Sequence, residues 1–262
     1  MNTKRIENLR AESLSKKPSI SGERAELMTD FYKSHKEKSL SPPILRAMAF
    51  KHLMEHKTIY IGSQELIIGE RGPAPQETPT FPEVCIHTID DLELIHQRPK
   101  VKFTVSEKLK SLYKSKVIPY WSGKSNRDKI FQKLPQKWLN CYYSGIFTEF
   151  LEQRAPGHTV LGDIIYSQGF KEFRKQIQDR IERLDKSTEK ALDKISYQSK
   201  KDELEAMLIS LEAVTIFASR HVDKLQDMLV KETDSKRIVE LKKMIEVSTN
   251  VPENKPRNSW EA

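Results

Sequence analysis

Apolar residues recur along most of this chain at every third or fourth position, the spacing that lays one apolar stripe along an α-helix. Leu27, Met28 and Phe31 form such a stripe behind Ser21, which can cap a helix running to about His35 with Glu23 in its positive first turn. Ser41-Pro42-Pro43 opens a second helix through about His56, proline being tolerated in a first turn. The period then changes. "TIYIGSQELIIGE", residues 58–70, is two β-branched-rich runs around Gly62-Ser63 and predicts a β-hairpin. Residues 71–83 contain four prolines and predict an irregular loop. Asp90 or Thr88 opens a short helix through about His96. Thr104-Val-Ser-Glu107 has the form of a capping box ahead of the inward stripe Val105, Leu109, Leu112, Tyr113 and Val117.

Beyond residue 169 the pattern is simpler. Amphipathic helices are expected over 170–185, about 199–232 and about 234–248. In the longest, Leu204, Met207, Leu208, Leu211, Val214, Ala218, Val222, Leu225, Met228 and Leu229 keep helical spacing. Its middle, "AMLISLEAVTIFAS", is apolar nearly all round and is expected to be buried. Near the end Ser259 resembles a helix N-cap, yet the sequence stops at Ala262, and one turn cannot offset the cost of nucleation. The expectation is therefore the front part of a longer polypeptide.

Composition narrows the classes. Hydrophobic residues are 37% and charged residues 31% of 262, which suits helices with long solvated faces. Nine glycines argue against a glycine-rich β-sandwich or a nucleotide-binding fold. No apolar run reaches the roughly 18 residues a membrane span needs, and the charged N-terminus is not a secretory signal. Cys85 and Cys141 make neither a disulfide framework nor a metal-binding CxxC pair. Residues 98–137 carry twelve Lys and Arg against only Glu107 and Asp128, with Phe103, Tyr113, Tyr120, Trp121 and Phe131 interleaved. Such a window could serve a nucleic-acid groove, but its lysines fall opposite the apolar stripe and read more simply as a solvated basic face.

The candidate chemistry is sparse. There is no P-loop, no Gly-x-Gly-x-x-Gly and no Ser-His-Asp set. His52 and His56 are the only histidines at i,i+4 spacing, on a helix without a partnering carboxylate pattern, so no metal ligands are assigned. One stretch differs from the rest: "TEFLEQRAPGHTVLGD", residues 148–163. Four of the nine glycines, Gly145, Gly157, Gly162 and Gly169, surround its single histidine. Ala155-Pro156-Gly157-His158 fits a type II turn, which fixes where His158 leaves the backbone and can fold it back towards Phe150. That imidazole either caps local carbonyls or offers one directed hydrogen bond to a ligand.

Several segments together resemble the glycyl radical enzymes, the pyruvate formate-lyase-like superfamily. They are "ELIIGER" (65–71), "TFPEVCIHTIDDLE" (80–93), "FTVSEKLK" (103–110), "IPYWSGKSNRDKI" (118–130), "GIFTEFLEQRAPGHTVLGDIIYSQGF" (145–170) and "KPRNSWEA" (255–262). Within that superfamily the dehydratase branch, and the hydroxyproline dehydratases in it, are nearest. The resemblance implies a mainly α chain: an arm over 1–20, then over 21–262 the N-terminal helical portion of a ten-stranded β/α barrel fold, with the barrel incomplete. It implies a substrate-binding role for Phe150 and His158, the ring packing on the substrate and the imidazole bonding near the departing hydroxyl. It further implies a glycyl radical installed by a radical S-adenosylmethionine activating enzyme, a homodimer when complete, and an anaerobic cytoplasm. The family's thiyl cysteine, acid/base glutamate and radical glycine have no counterpart here, so no catalytic residue is assigned and residues 1–262 alone are expected to be inactive. The alternatives are another substrate of the same superfamily (glycerol or another diol, choline, or formate acetyltransferase chemistry), or a helical binding protein using the basic 98–137 window.

Overall fold

The computed structural model describes residues 3–146, 162–187 and 193–262. They fall into two compact units, one of residues 3–34 and 71–146, the other of residues 35–70, 162–187 and 193–262. Both are helical, as the spacing predicts, and the only sheet among the described residues has two short strands.

The first unit contains α1 (Thr3–Ser15), β1 (Ser19–Ser21), α2 (Glu23–Ser34), β2 (Glu77–Pro79), α4 (Ile89–Gln97), α5 (Glu107–Leu112), a π-helical turn (Tyr113–Val117), α6 (Ile118–Trp121), α7 (Asn126–Phe131) and α8 (Gln136–Tyr143); α3 (Pro42–His56) belongs to the other unit. Strands β1 and β2 are parallel, with Ile20 opposite Thr78. The core is Ala25, Leu92, Val105, Leu109, Tyr113, Val117 and Trp121. From Leu109 onward these buried positions recur every four residues, more than the 3.6 of an α-helix, so a regular helix would drift out of register with its own stripe. The wider π turn takes up that drift and keeps Tyr113, Val117 and Trp121 on one side.

The polar atoms in this core are paired. The Trp121 indole N–H donates to the Thr29 hydroxyl at 3.0 Å, and that hydroxyl donates to Ala25 O at 2.6 Å. The Tyr113 hydroxyl donates to Thr80 Oγ1 at 2.6 Å, and burial pushes its pKa up to about 12. Arg24 pairs with Glu83 and lies 4.0 Å over the Phe81 ring.

Of two helix starts read from capping residues, one agrees with expectation and one differs. Thr88 caps α4 in a full capping box with Asp91, as one of the two readings had it. For α5, however, the cap is Ser106, which accepts from Leu109 N–H at 3.2 Å. Thr104 instead pairs its backbone with Pro18 and Ile20, so its N–H is committed to extended chain.

The second unit contains α3, a 3-10 turn (Gly162–Tyr166), α9 (Phe170–Asp185), α10 (Lys194–Lys231) and α11 (Ser235–Asn250). Helix α10 is the spine, against which α3, α9 and α11 pack. The hairpin expected at 58–70 does not form. These residues are irregular, and their apolar side chains Ile59, Ile61, Leu66 and Ile68 pack with Leu225, Leu241 and Met244. Side chains supply the hydrogen bonds that a partner strand would have given. Arg237, itself buried, donates to Glu65 O at 2.9 Å and Gly62 O at 3.4 Å, Trp260 Nε1 donates to Leu66 O at 3.2 Å, and Gly62 N–H donates to Glu65 Oε2 at 2.7 Å. The β-branched runs are thus apolar ballast for helices, not ladder partners.

The apolar middle of α10 is mostly half-buried. Ala206, Ala213, His221 and Leu225 are covered, whereas Met207 is 49% exposed. Ala206 and Ala213 are covered although they lie off the stripe read from large side chains, whereas Leu225 on that stripe is covered as expected. At the end of the chain Asn258, not Ser259, takes the capping role, accepting from the N–H groups of Trp260 and Glu261, and only turns follow. Glu261 is covered and bonded by Arg257, which holds its carboxyl at about 2. No helix among the described residues is long and apolar enough to cross a membrane.

Candidate functional site

Phe150 and His158, the two residues nominated for the pocket, lie outside the described residues. The structure describes the two ends from which their segment is hung, each in its own unit.

At the N-terminal end, α8 closes through Gly145 in the left-handed region, φ +70°. Its N–H donates to Tyr142 O at 3.0 Å and that of Ile146 to Cys141 O at 3.1 Å, a Schellman ending that only a residue tolerant of positive φ makes cheaply. Helix α8 is fixed by an aromatic cluster. Trp138 and Tyr142 stack at 5.4 Å, the Phe131 ring meets Tyr142 edge-on at 5.1 Å, and the Arg127 guanidinium lies 5.0 Å from Phe131. Arg127 also donates to the Tyr142 hydroxyl and, at 3.4 Å, to Cys85 Sγ. Cys85 and Cys141 are free thiols, both half-buried.

The C-terminal end is clamped differently. Gly162 begins the 3-10 turn at φ +57°, and Gly169 caps α9 with its N–H donating to Glu172 Oε2 at 2.8 Å. A Cβ on Gly169 would stand 2.4 Å from Asn254 C and 2.5 Å from Glu253 O, so the chain passes where no side chain fits. Phe170 N–H and Lys171 N–H donate to Pro252 O and Glu253 O at 2.9 and 3.1 Å. Three of the four glycines around the nominated histidine therefore have mechanical work at the segment's ends.

Other titratable groups have plain environments. Burial lowers the pKa of His87, partly offset by Asp91. Burial also lowers that of His221, whose Nδ1 donates to Phe217 O at 2.8 Å. In the basic window, Lys110 pairs with Glu93 and Glu107, Lys116 with Glu26 and Asp30, and Lys124 lies 3.9 Å over Tyr120. These cations are spent on the unit's own surface, which shrinks the field available to phosphates. Sequence reading missed one group. Glu55 joins His52 and His56, their ligand atoms all within 4.8 Å of one another. The spacing His52-x-x-Glu55-His56 carries that carboxylate between the two histidines.

Comparison with known proteins assigns the frame. The pyruvate formate lyase-like family model matches residues 1–262. The chain is 43% identical over 258 residues to trans-4-hydroxy-L-proline dehydratase of Clostridioides difficile, covering 98% of this chain and 32% of that protein. It is 30% identical to the isethionate sulfite-lyase of Oleidesulfovibrio alaskensis, with the same two coverages. The crystal structure of hydroxyproline dehydratase from Clostridioides difficile with trans-4-hydroxy-L-proline bound superposes with a TM-score of 0.89 at 42% identity, again over 98% of this chain and 32% of the other. The chain thus spans about a third of the length of these relatives. With two mainly helical units, two short strands and a family match along its whole length, the chain belongs to the pyruvate formate lyase-like family of glycyl radical enzymes.

Proposed function

We propose that this chain forms the N-terminal helical part of a glycyl radical dehydratase that removes water from trans-4-hydroxy-L-proline. The observation that carries the reading is the 43% identity, over 98% of this chain, to the hydroxyproline dehydratase, against 30% to the sulfite-lyase. Phe150 supplies an apolar wall for the substrate ring. His158, aimed by the Pro156-Gly157 turn, hydrogen-bonds near the departing hydroxyl directly or through water.

The family implies a radical carried on a glycine, which supplies hydrogen abstraction through a cysteine thiyl. The glycines of this chain do not fit that role. Gly145 and Gly162 serve as positive-φ turns, Gly169 is walled in by backbone, and none of the nine sits in a radical-loop sequence. Cys85 and Cys141 lie in segments unrelated to the thiyl position. No radical step is therefore assigned to residues 1–262, whose part is to bind and orient. The complete enzyme would be a homodimer activated by a radical S-adenosylmethionine enzyme in an anaerobic cytoplasm.

The test is to activate the complete polypeptide anaerobically and offer it trans-4-hydroxy-L-proline, isethionate, glycerol and choline in parallel. Consumption of hydroxyproline with release of the cyclic imine supports the reading. Turnover of another substrate with hydroxyproline untouched overturns it.

A further inference from the structure

We infer that His52, Glu55 and His56, on the last turn of α3, form a binding site for a divalent transition-metal ion, zinc in the first instance. Positions i, i+3 and i+4 share one helix face, and the three ligand atoms lie within 4.8 Å of one another. The imidazole rings are 4.2 Å apart between centroids and inclined by 34°. Zinc bonded at about 2.0–2.2 Å to nitrogen and oxygen brings neighbouring ligand atoms to roughly 3.3 Å. Reaching that spacing takes rotation of the side chains, and His56 is exposed while His52 and Glu55 are half-buried.

The site is partly pre-set. His56 Nδ1 lies 2.7 Å from His52 O, a carbonyl that can only accept, so the proton is on Nδ1 and the lone pair on Nε2. That is the arrangement in which metal-binding histidines are oriented by a second hydrogen bond. The backbone beneath is held as well. Arg220 donates to Met54 O and Lys57 O at 2.6 and 2.8 Å, Lys57 N–H closes on Leu53 O at 2.9 Å, and Leu53 and Met54 are buried. Lys51 lies 4.0 Å from the Glu55 carboxylate and 2.7 Å from Glu212, so a bound ion would share Glu55, the more distant of that ammonium's two contacts.

Helix capping alone does not account for the group. Histidines suit the negative C-terminal end of a helix, whereas a carboxylate there is unfavourable. A bound cation accounts for all three. Two imidazoles and one carboxylate suit zinc, nickel or copper and disfavour magnesium and calcium, which prefer oxygen-only sites. The same His-x-x-Glu-His spacing occurs in inverted zincins, where the glutamate acts as a base; here the inference is binding only.

The test is zinc titration of the 262-residue protein with a competing indicator dye, together with Co²⁺ absorption. One saturable equivalent is expected. The exposed single variant His56→Gln is expected to weaken binding about tenfold or more, and His52→Asn/His56→Gln to abolish it. Cys85→Ser/Cys141→Ser is expected to leave it unchanged, with circular dichroism checking that each variant is folded. Absence of saturable zinc binding in the wild type overturns the inference, as does wild-type affinity in folded His56→Gln or a folded double histidine variant.

Discussion

Arg174 and Glu253 meet through two parallel hydrogen bonds of 3.0 and 2.9 Å, joining the second turn of α9 to the residues just past α11. Thr215 on α10 donates to the same carboxylate at 2.6 Å, so one acidic side chain gathers three helical segments. The backbone of Glu253 and Asn254 is thereby pinned where Gly169 passes. Because φ at Gly169 is −107°, the constraint is steric and not conformational. Gly169→Ala is expected to destabilise the protein by about 1–3 kcal/mol, as overpacking does, seen as a lower midpoint in urea at unchanged slope.

The Trp121–Thr29 bond makes a second, independent prediction. Thr29→Val keeps the shape but leaves a buried indole N–H without its acceptor, at a cost of about 1–3 kcal/mol. Thr29→Ser, retaining the hydroxyl, is expected to lose less. Equal losses in the two variants would deny the hydrogen bond its role.

Arg237 holds the 58–70 segment by its carbonyls and is 6% exposed. Arg237→Met removes those donors and breaks the 3.1 Å ion pair with Glu240. A loss of about 3 kcal/mol is expected, with faster amide exchange over residues 61–66 before global unfolding.

His221 gives the chain a pH response. Its folded pKa lies below the ordinary value of about 6.5 because burial and the nearby Lys57 and Arg220 charges disfavour the imidazolium. The neutral form thus contributes stability that is present above the unfolded pKa. As pH falls from there towards the depressed folded value, the unfolded chain takes up the proton first and that stability is lost. Melting temperature should drop as pH falls below about 6.5, and His221→Leu should flatten the slope. His87, also lowered, would account for part of any slope that remains.

The fifth prediction rests on the proposed function. In the complete, activated enzyme His158→Ala should lower kcat/KM for hydroxyproline on the order of 10²-fold, with partial recovery in His158→Gln. Phe150→Leu should act mainly on KM. Unchanged kinetics in both would remove this segment from the pocket.

Much of the helical frame was legible because its signals are local. Pro42-Pro43, Thr88 and the stripe Leu109, Tyr113, Val117 each act within a turn or two, and each lies where the pattern put it. Two of the misreadings share one cause, which is distance along the chain. Residues 58–70 have strand composition, yet Arg237 and Trp260, far downstream, supply their hydrogen bonds. Thr104 has capping chemistry but is claimed by Pro18 and Ile20. The glycines around residues 148–163 announced special backbone, but only packing distinguishes Gly169, excluded by neighbours, from Gly145, chosen for its dihedral angle. Phe150 and His158 were reached from a local turn and a family likeness, not from any packing signal.

The π turn at Tyr113–Val117 has a consequence for how this region can change. The wide turn absorbs one residue more than a regular helix would hold between Leu109 and Trp121, and so keeps the indole over Thr29. Deleting one residue there would turn the four-residue spacing of the buried positions into the 4-3-4 spacing that an ordinary α-helix keeps on one face, so the wide turn would be lost with Trp121 still directed to the core. A one-codon deletion is thus the length change this segment can absorb, whereas a one-codon insertion would carry the ring out of its slot.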